Sequence, residues 1–404
     1  MMNPAITPGT ERRLPVQMMA AGARSADPLR GRDLLCFSHD WNGDPLSKNH
    51  LMRILARQNR ILWINSIGYR RPTASKADLT RAVSKLTSAL EPVREVEPGI
   101  FVLNPLAVPA YGSQAVRRFN RQFLRWQVQR GMRQLRFSRV INFVFNPAAA
   151  VIAGALDEDL LIYYCVDEYT AFTGVVAASL AALEQELCRR ADLVVVSAEK
   201  LLASKARYNP RTHLIRHGVD FEHFRRALDP ATCVPEAIAR LPRPVIGFHG
   251  LLADWVDVEL LAHTARTFAE GSLVIVGRAT TDIARLKQLP NVHLIGRRPY
   301  AELPAFCKGF DVALNPFRIN ELTLNASPLK VREYLAAGLP VVSTPIPEVS
   351  RMGLCLIGVD ESAFVAQIRR ALAEPGPRAA RSDLMRTESW ETKVEEIRRC
   401  LTAP

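Results

Sequence analysis

Short apolar runs that recur along the chain, each followed by a helical or polar stretch, leave few folds open to it. The first set is DLLCFS (33–38), ILWIN (61–65), IFVLNP (100–105), VINFVF (140–145), LLIYYCV (160–166) and LVVVS (193–197). Strands apolar on both faces belong in a parallel sheet covered by helices on either side, since a face left to solvent would alternate with polar residues. The loop HDWNGDPLSKNH and a helix around Leu51–Gln58 separate the first two runs, so the chain opens as a βαβ unit. Helical material is expected over about 76–136, broken by the strand at 100–105.

The pattern pauses after HGVDFEHF (217–224), where ALDPATCVPEAIARLPRP is rich in Pro and Ala. It then restarts with PVIGFHG (244–250), SLVIVGR (272–278), NVHLIG (291–296), DVALNPF (311–317) and PVVST (340–344). The expected class is α/β, with two Rossmann-like doubly wound domains facing a central cleft. Residues 1–30 read as a disordered leader, 31–220 as the first domain, 221–243 as a linker, 244–375 as the second domain, and 376–404 as a closing helix docked back on the first domain. With 404 residues and 48% apolar content, the chain can bury two cores.

The segment 315–344, NPFRINELTLNASPLKVREYLAAGLPVVST, reads as a strand end, a polar loop, a helix start and a turn into another strand. Ser327 can cap that helix and Pro328 suits its first turn, which leaves free N–H groups and the positive end of the dipole facing the loop. Lys330 adds a point charge, and Glu333, one turn on, can accept hydrogen bonds from a ribose diol. Together they suggest a sugar nucleotide. Gly250, at the end of VIGFHG, lets backbone approach a phosphate. Arg278, after LVIVG, is placed for the same diphosphate. Glu321, Thr323 and Asn325 lie in the loop that reaches toward a donor sugar.

The stretches HGVD (217–220), VIVGR, NVHLIGRRPYAELPAF and PLKVREYLAAGLPVVST follow one another as in the nucleotide-binding half of GT-B glycosyltransferases, which this chain resembles over most of 210–350. The opening CFSHDWNGDPLSKNHLMRILARQNRILWINSIG is similar to the first strands and acceptor loop of bacterial exopolysaccharide and cell-surface members. The resemblance implies a nucleoside diphosphate-sugar donor, UDP- or GDP-linked, in the second domain and a lipid-linked or polysaccharide acceptor in the first. It also implies that Arg297 and Tyr300 flank the base, Tyr300 by stacking. Many retaining members carry two glutamates separated by seven residues. Here Glu333 matches the second and Asn325 stands at the first, so this pattern does not assign stereochemistry. Nucleotide-sugar 2-epimerases share the fold and are the second reading; a non-catalytic scaffold that keeps the fold is the third.

Inverting transfer needs a base near the acceptor hydroxyl. Asp167 and Glu168 follow directly on the strand LLIYYCV, where strand ends line the crevice of an open sheet, and two adjacent carboxylates raise one another's pKa. His39, with Asp40, ends the first strand in the same way and competes for the acceptor-side role. Asp157-Glu158-Asp159 spells a metal-holding acid string but precedes its strand, so no metal is expected, and basic residues with a helix dipole take over its electrostatic task.

The net charge of +13 favours anionic partners. From Arg117 to Arg139 there are eight arginines and no acid. Among them Val116, Phe119, Phe123 and Trp126 recur at helical spacing, beside a stripe of Leu124, Val128, Met132 and Leu135. A basic amphipathic helix over 113–139 can lie on an anionic membrane surface or serve as a domain helix with solvated arginines. Nucleic acid is the weaker partner, because no helix-turn-helix, zinc or RNA-binding signature accompanies the charge. The seven cysteines are scattered, with no C-x-x-C pair, so neither a disulfide framework nor a zinc site is indicated. With no run of transmembrane length, the expected location is the cytoplasm, on the inner face of the membrane where the basic helix engages it.

Overall fold

The computed structural model describes residues 27–68 and 91–402. The leader expected at 1–30 and the helical material expected from 76 to 90 fall wholly or mostly outside those residues. Two parallel sheets organise the chain. The first has the order β3-β4-β2-β1-β5-β6-β7-β8, formed by β1 (Asp33–Phe37), β2 (Arg60–Ile64), β3 (Arg94–Glu97), β4 (Ile100–Leu103), β5 (Ile141–Val144), β6 (Leu160–Cys165), β7 (Leu193–Val196) and β8 (Thr212–Leu214). Among the described residues, the β3–β4 pairing is the one antiparallel pairing of this sheet. The second has the order β11-β10-β9-β12-β13-β14, from β9 (Val245–His249), β10 (Ser272–Val276), β11 (Val292–Gly296), β12 (Val312–Asn315), β13 (Val341–Ser343) and β14 (Leu356–Ile357).

Each sheet reverses its winding beside its first strand, between β1 and β5 in one and between β9 and β12 in the other. Helices leave in opposite directions on either side of such a point and open a crevice at the strand C-termini. This is the GT-B architecture. The central strands are buried end to end, for example Leu34, Leu35, Cys36, Val194 and Val195, with β9 and β10 equally enclosed. Such side chains contribute roughly 1.5–3 kcal/mol each when fully buried.

Four helices position the crevices. Helix α1 (Ser47–Ala56) follows β1, starting one turn before the apolar run at Leu51. Helix α2 (Gln114–Leu135) is capped by Ser113 and buries Asn120, Leu124, Val128 and Gly131. Helix α3 (Leu329–Ala336) links the loop after β12 to β13. Helix α4 (Trp390–Thr402) closes the chain, and its Trp390, Val394 and Ile397 join the core of the first domain. The chain therefore passes between the sheets twice. The two passes touch: Val219 pairs with Ser389 in a parallel bridge, and its N–H donates to the Glu388 carbonyl at 2.9 Å. The segment 221–243 is not an extended connection throughout. It contains helical turns at Phe221–Arg225 and Glu236–Ala239, with Phe221, Phe224 and Ile238 packed into the second core.

Candidate donor and acceptor site

Strand β9 delivers His249 and Gly250 to the crevice of the second domain. Gly250 has φ +129°, and a Cβ there would lie 3.0 Å from Cε of Lys330. Gly277, at the end of β10 with φ +155°, would place a Cβ 1.9 Å from the Gly250 carbonyl oxygen. Both positions therefore require glycine, and the backbone closes directly onto the Lys330 side chain. That side chain lies over Phe317 at 4.5 Å and Phe248 at 5.6 Å from the ring centroids. Burial lowers its pKa to about 8, with Glu333 opposing the change. Glu333 moves the other way: burial lifts its carboxyl to about 7, with Lys330 opposing. Nε2 of His249 stands 3.7 Å from the Glu333 carboxylate, but burial drives the imidazole pKa down to about 3, so it stays neutral. Glu333 is left as a buried acceptor close to a cation.

Helix α3 begins differently from expectation. Pro328 is the N-cap and offers no side-chain oxygen, while Ser327 Oγ accepts a hydrogen bond from Arg332 Nη1 at 3.3 Å. Ser327 thus fixes a buried arginine; the Val331 N–H donates to the Pro328 carbonyl at 3.3 Å, and the helix start has no side-chain cap. The Ser327 carbonyl faces Nδ1 of His217 at 2.9 Å, which ties the loop to the crossing between domains.

On the first domain, Asp167 follows β6 half-buried, and no side-chain hydrogen bond or ion pair engages its carboxylate among the described residues. Burial raises its pKa, Lys48 opposes this, and the neighbouring Glu168 adds to it. His39 Nδ1 lies 3.1 Å from Ser38 Oγ, and its buried Nε2 has no partner among the described residues. Burial, reinforced by Lys48, depresses its pKa to about 3. The domains meet around this cleft through the Arg297–Asp44 ion pair at 2.7 Å, a Thr173–Asp254 hydrogen bond, and the edge-on rings of Phe172 and Trp255 at 6.2 Å.

Residues 243–374 match the family model described as Glycosyl transferases group 1. Over 276 residues, 62% of this chain and 69% of the relative, the sequence is 22% identical to TuaH of Bacillus subtilis (strain 168), named as a teichuronic acid biosynthesis glycosyltransferase. Among solved structures, sucrose-phosphate synthase of Thermosynechococcus elongatus superposes with a TM-score of 0.65 at 15% identity, covering 91% of this chain and 97% of its own. Anabaena HepE in complex with UDP and glucose gives 0.62 at 13% identity, covering 92% and 99%. The chain has the GT-B fold, and its second half carries the group 1 glycosyltransferase match.

Several residues expected in the site have other work. Glu168 is fastened: Lys205 lies 3.1 Å from its carboxylate and Thr170 Oγ1 donates to it at 2.6 Å. Burial pushes Glu168 up, yet Lys205 and Thr170 outweigh it and hold the carboxyl below its ordinary range, which suits a structural anion better than a base. Tyr300 stacks on His223 at 4.4 Å and is packed edge-on by Phe224, so its ring is engaged inside the protein rather than free for a base. Arg297 is committed to Asp44. Thr323 is buried and closes a capping box with Asn320, so it shapes the loop instead of reading a sugar. Arg278 is exposed at the end of β10. Glu321 is exposed, and Asn325 Nδ2 donates to its carboxylate at 2.8 Å.

The acid string 157–159 sits at the start of β6, away from the crevice. Asp159 pairs with Arg32 at 2.6 Å and Arg139 at 3.2 Å, and Glu158 accepts from the Leu156 N–H at 2.9 Å. Among the described residues no group of three or more His, Cys, Asp or Glu side chains converges for a metal ion. Sequence reasoning missed Lys48, a buried amine in the first turn of α1, and Arg216, whose guanidinium bridges Glu199 at 2.9 Å and Glu348 at 2.7 Å across the domains. The first-turn run SKNH gave no signal for burial because polar residues there read as solvated.

Proposed function

We propose that this chain is a glycosyltransferase that moves a sugar from a UDP- or GDP-linked donor to a lipid-linked or polysaccharide acceptor in cell-envelope glycan synthesis. The observation that supports it most is the pairing of Lys330 with a helix N-terminus that has no side-chain cap and with Glu333 one turn further on. Lys330 and the first N–H groups of α3 stabilise the departing diphosphate as its charge develops, and Glu333 accepts from the ribose diol. In this reading no metal ion is required. Asp167 takes the proton of the acceptor hydroxyl in an inverting course, since it is the carboxylate left unpaired beside the cleft. Bound UDP and glucose in the structural neighbour HepE, and the teichuronic acid role for which TuaH is named, support the donor and acceptor classes.

The working location in this reading is the cytoplasmic face of an anionic membrane. Leu124 and Val128 of α2 are core, whereas Phe119 is 54% and Trp126 52% exposed. Phe119 stacks with Phe123 at 5.5 Å and Phe123 with Trp126 at 6.1 Å, in a row bordered by the exposed Arg118, Arg121 and Arg130. An exposed aromatic row flanked by cations fits a lipid interface. No described helix is long and apolar enough to cross a membrane. The deciding experiment is a thermal-shift screen of nucleoside diphosphates on the protein and on Lys330→Ala. Stabilisation by one nucleotide that is lost in the variant supports the donor site, and no shift with any nucleotide removes it.

A further inference from the structure

Behind the Asp167 turn lies a buried ionic network that the transfer reading leaves unused. The helix Ala177–Arg190 packs Leu180, Leu183, Leu187 and Cys188 inward, and among them it carries Glu184, 4% exposed. The helix Glu199–Lys205 brings its last residue, Lys205, 5% exposed, to the same place. Lys205 Nζ donates to Glu184 Oε2 at 2.6 Å and to Glu168 Oε2 at 3.1 Å, and the Tyr163 hydroxyl of β6 donates to Glu184 Oε1 at 2.5 Å. Desolvation makes a buried ion pair a poor source of stability, since apolar side chains of the same volume fill such a space as well or better. What this network supplies is direction. Its outer end is Glu168, which caps the turn Tyr169–Ala171 and accepts from the Thr170 hydroxyl at 2.6 Å. One residue before it stands Asp167, whose carbonyl accepts from Cys165 Sγ at 3.4 Å. Just beyond the turn, Phe172 and Thr173 meet Trp255 and Asp254 of the second domain. One short segment therefore carries both the unpaired carboxylate and an interdomain contact, and Lys205 holds its middle from inside the first domain.

We propose that Lys205, oriented by Glu184 and Tyr163, is a positioning residue that fixes the turn 167–173 through Glu168 and so aims the Asp167 carboxylate at the cleft. Without the ammonium, Glu168 is left facing Glu184, a like charge, and the turn is displaced. The effect on turnover rests on the reading of Asp167 as the base; the effect on the turn does not.

The test uses the full chain as wild type, Lys205→Met, Lys205→Arg, Glu168→Gln and Asp167→Asn. Amide exchange is followed by mass spectrometry, nucleotide affinity by calorimetry with UDP and GDP, and turnover by transfer from radiolabelled UDP-glucose to total bacterial membrane lipid. Lys205→Met is expected to speed exchange over 168–173 by about tenfold or more beyond any change in β6 and β7. It should lower turnover about tenfold or more with nucleotide affinity unchanged, and Lys205→Arg should restore part of both losses. Glu168→Gln leaves the Lys205–Glu184 pair in place to hold the fold, and it should reproduce the faster exchange of the turn. In an Asp167→Asn background, Lys205→Met should lower turnover no further, because both changes act on one group. Exchange in the turn that rises no more than in β6 and β7, in both Lys205→Met and Glu168→Gln, overturns the proposal, as does full turnover in Lys205→Met. Full turnover in Asp167→Asn, or none in wild type, counts against the transfer reading instead, and the exchange pattern then decides the role of Lys205.

Discussion

Asn325 holds Glu321: its Nδ2 donates at 2.8 Å both to the Glu321 carboxylate and to the Glu321 carbonyl. At the position where many retaining relatives place an acid, this chain places an amide that orients an acid four residues earlier. Asn325→Asp would set two carboxylates against each other. The variant is expected to lose about tenfold or more in kcat/KM with nucleotide affinity unchanged, since the change concerns the loop toward the donor sugar. Steady-state kinetics beside calorimetry separates the two.

Burial and charge set opposite directions for Glu333 and Lys330, and the signs can be followed. Glu333 is raised in the folded state, so the protein binds an extra proton there below about 7, and that favourable contribution fades as pH rises from the unfolded carboxyl range through 7. Glu333→Gln should therefore raise the melting temperature of the free protein at pH 8, by the equivalent of about 1–3 kcal/mol, and change it little at pH 4.5. An equal gain at both pH values would contradict the raised carboxyl.

Lys330 loses its proton near pH 8 in the free protein. A bound diphosphate favours the charged amine, so nucleotide affinity should fall above pH 8 by up to about tenfold per unit. In Lys330→Arg the profile should be flat over the same range, because the guanidinium stays charged. Calorimetric titrations from pH 7 to 10 provide the comparison.

Asp167→Asn is expected to lower turnover by about 10²–10⁴-fold while nucleotide binding persists. A radiolabelled-donor transfer assay would show it. Retained turnover removes Asp167 as the base, and lost nucleotide binding reassigns it to the donor.

Vesicles of anionic lipid should bind the protein in low salt and release it as salt rises. Phe119→Ser with Trp126→Ser is expected to abolish binding without lowering stability, since both rings are already exposed. Flotation that is indifferent to the two rings would end the membrane assignment.

Much of the fold was legible because long buried strands advertise themselves. What escaped were β3, β8 and β14, with sequences REVE, THL and LI, at or next to the sheet edges, where pairing rather than apolar pattern defines the strand. Helix α3 was also legible, between the apolar strands β12 and β13. Its cap was not, since Ser327 is claimed by Arg332, a partner that only the folded chain brings near. The first turn of α1 was misread for the same kind of reason. His50 stacks on Trp390 at 5.6 Å, so polar-looking residues are enclosed by a helix hundreds of positions away. Thr323 shows the reverse error, a polar loop residue turned inward to close a cap.

The doubled passage of the chain between the sheets limits how the halves can move. A single tether would let one domain spin upon the other. Here two neighbouring passes are fastened at Val219 and Ser389, and Gly218 lies so tightly under Trp390 that a Cβ would come within 2.9 Å of its ring. That arrangement works as a door on a fixed pin. A swing about that line would open the gap spanned by Arg297–Asp44 and Thr173–Asp254, and it would have to break both contacts.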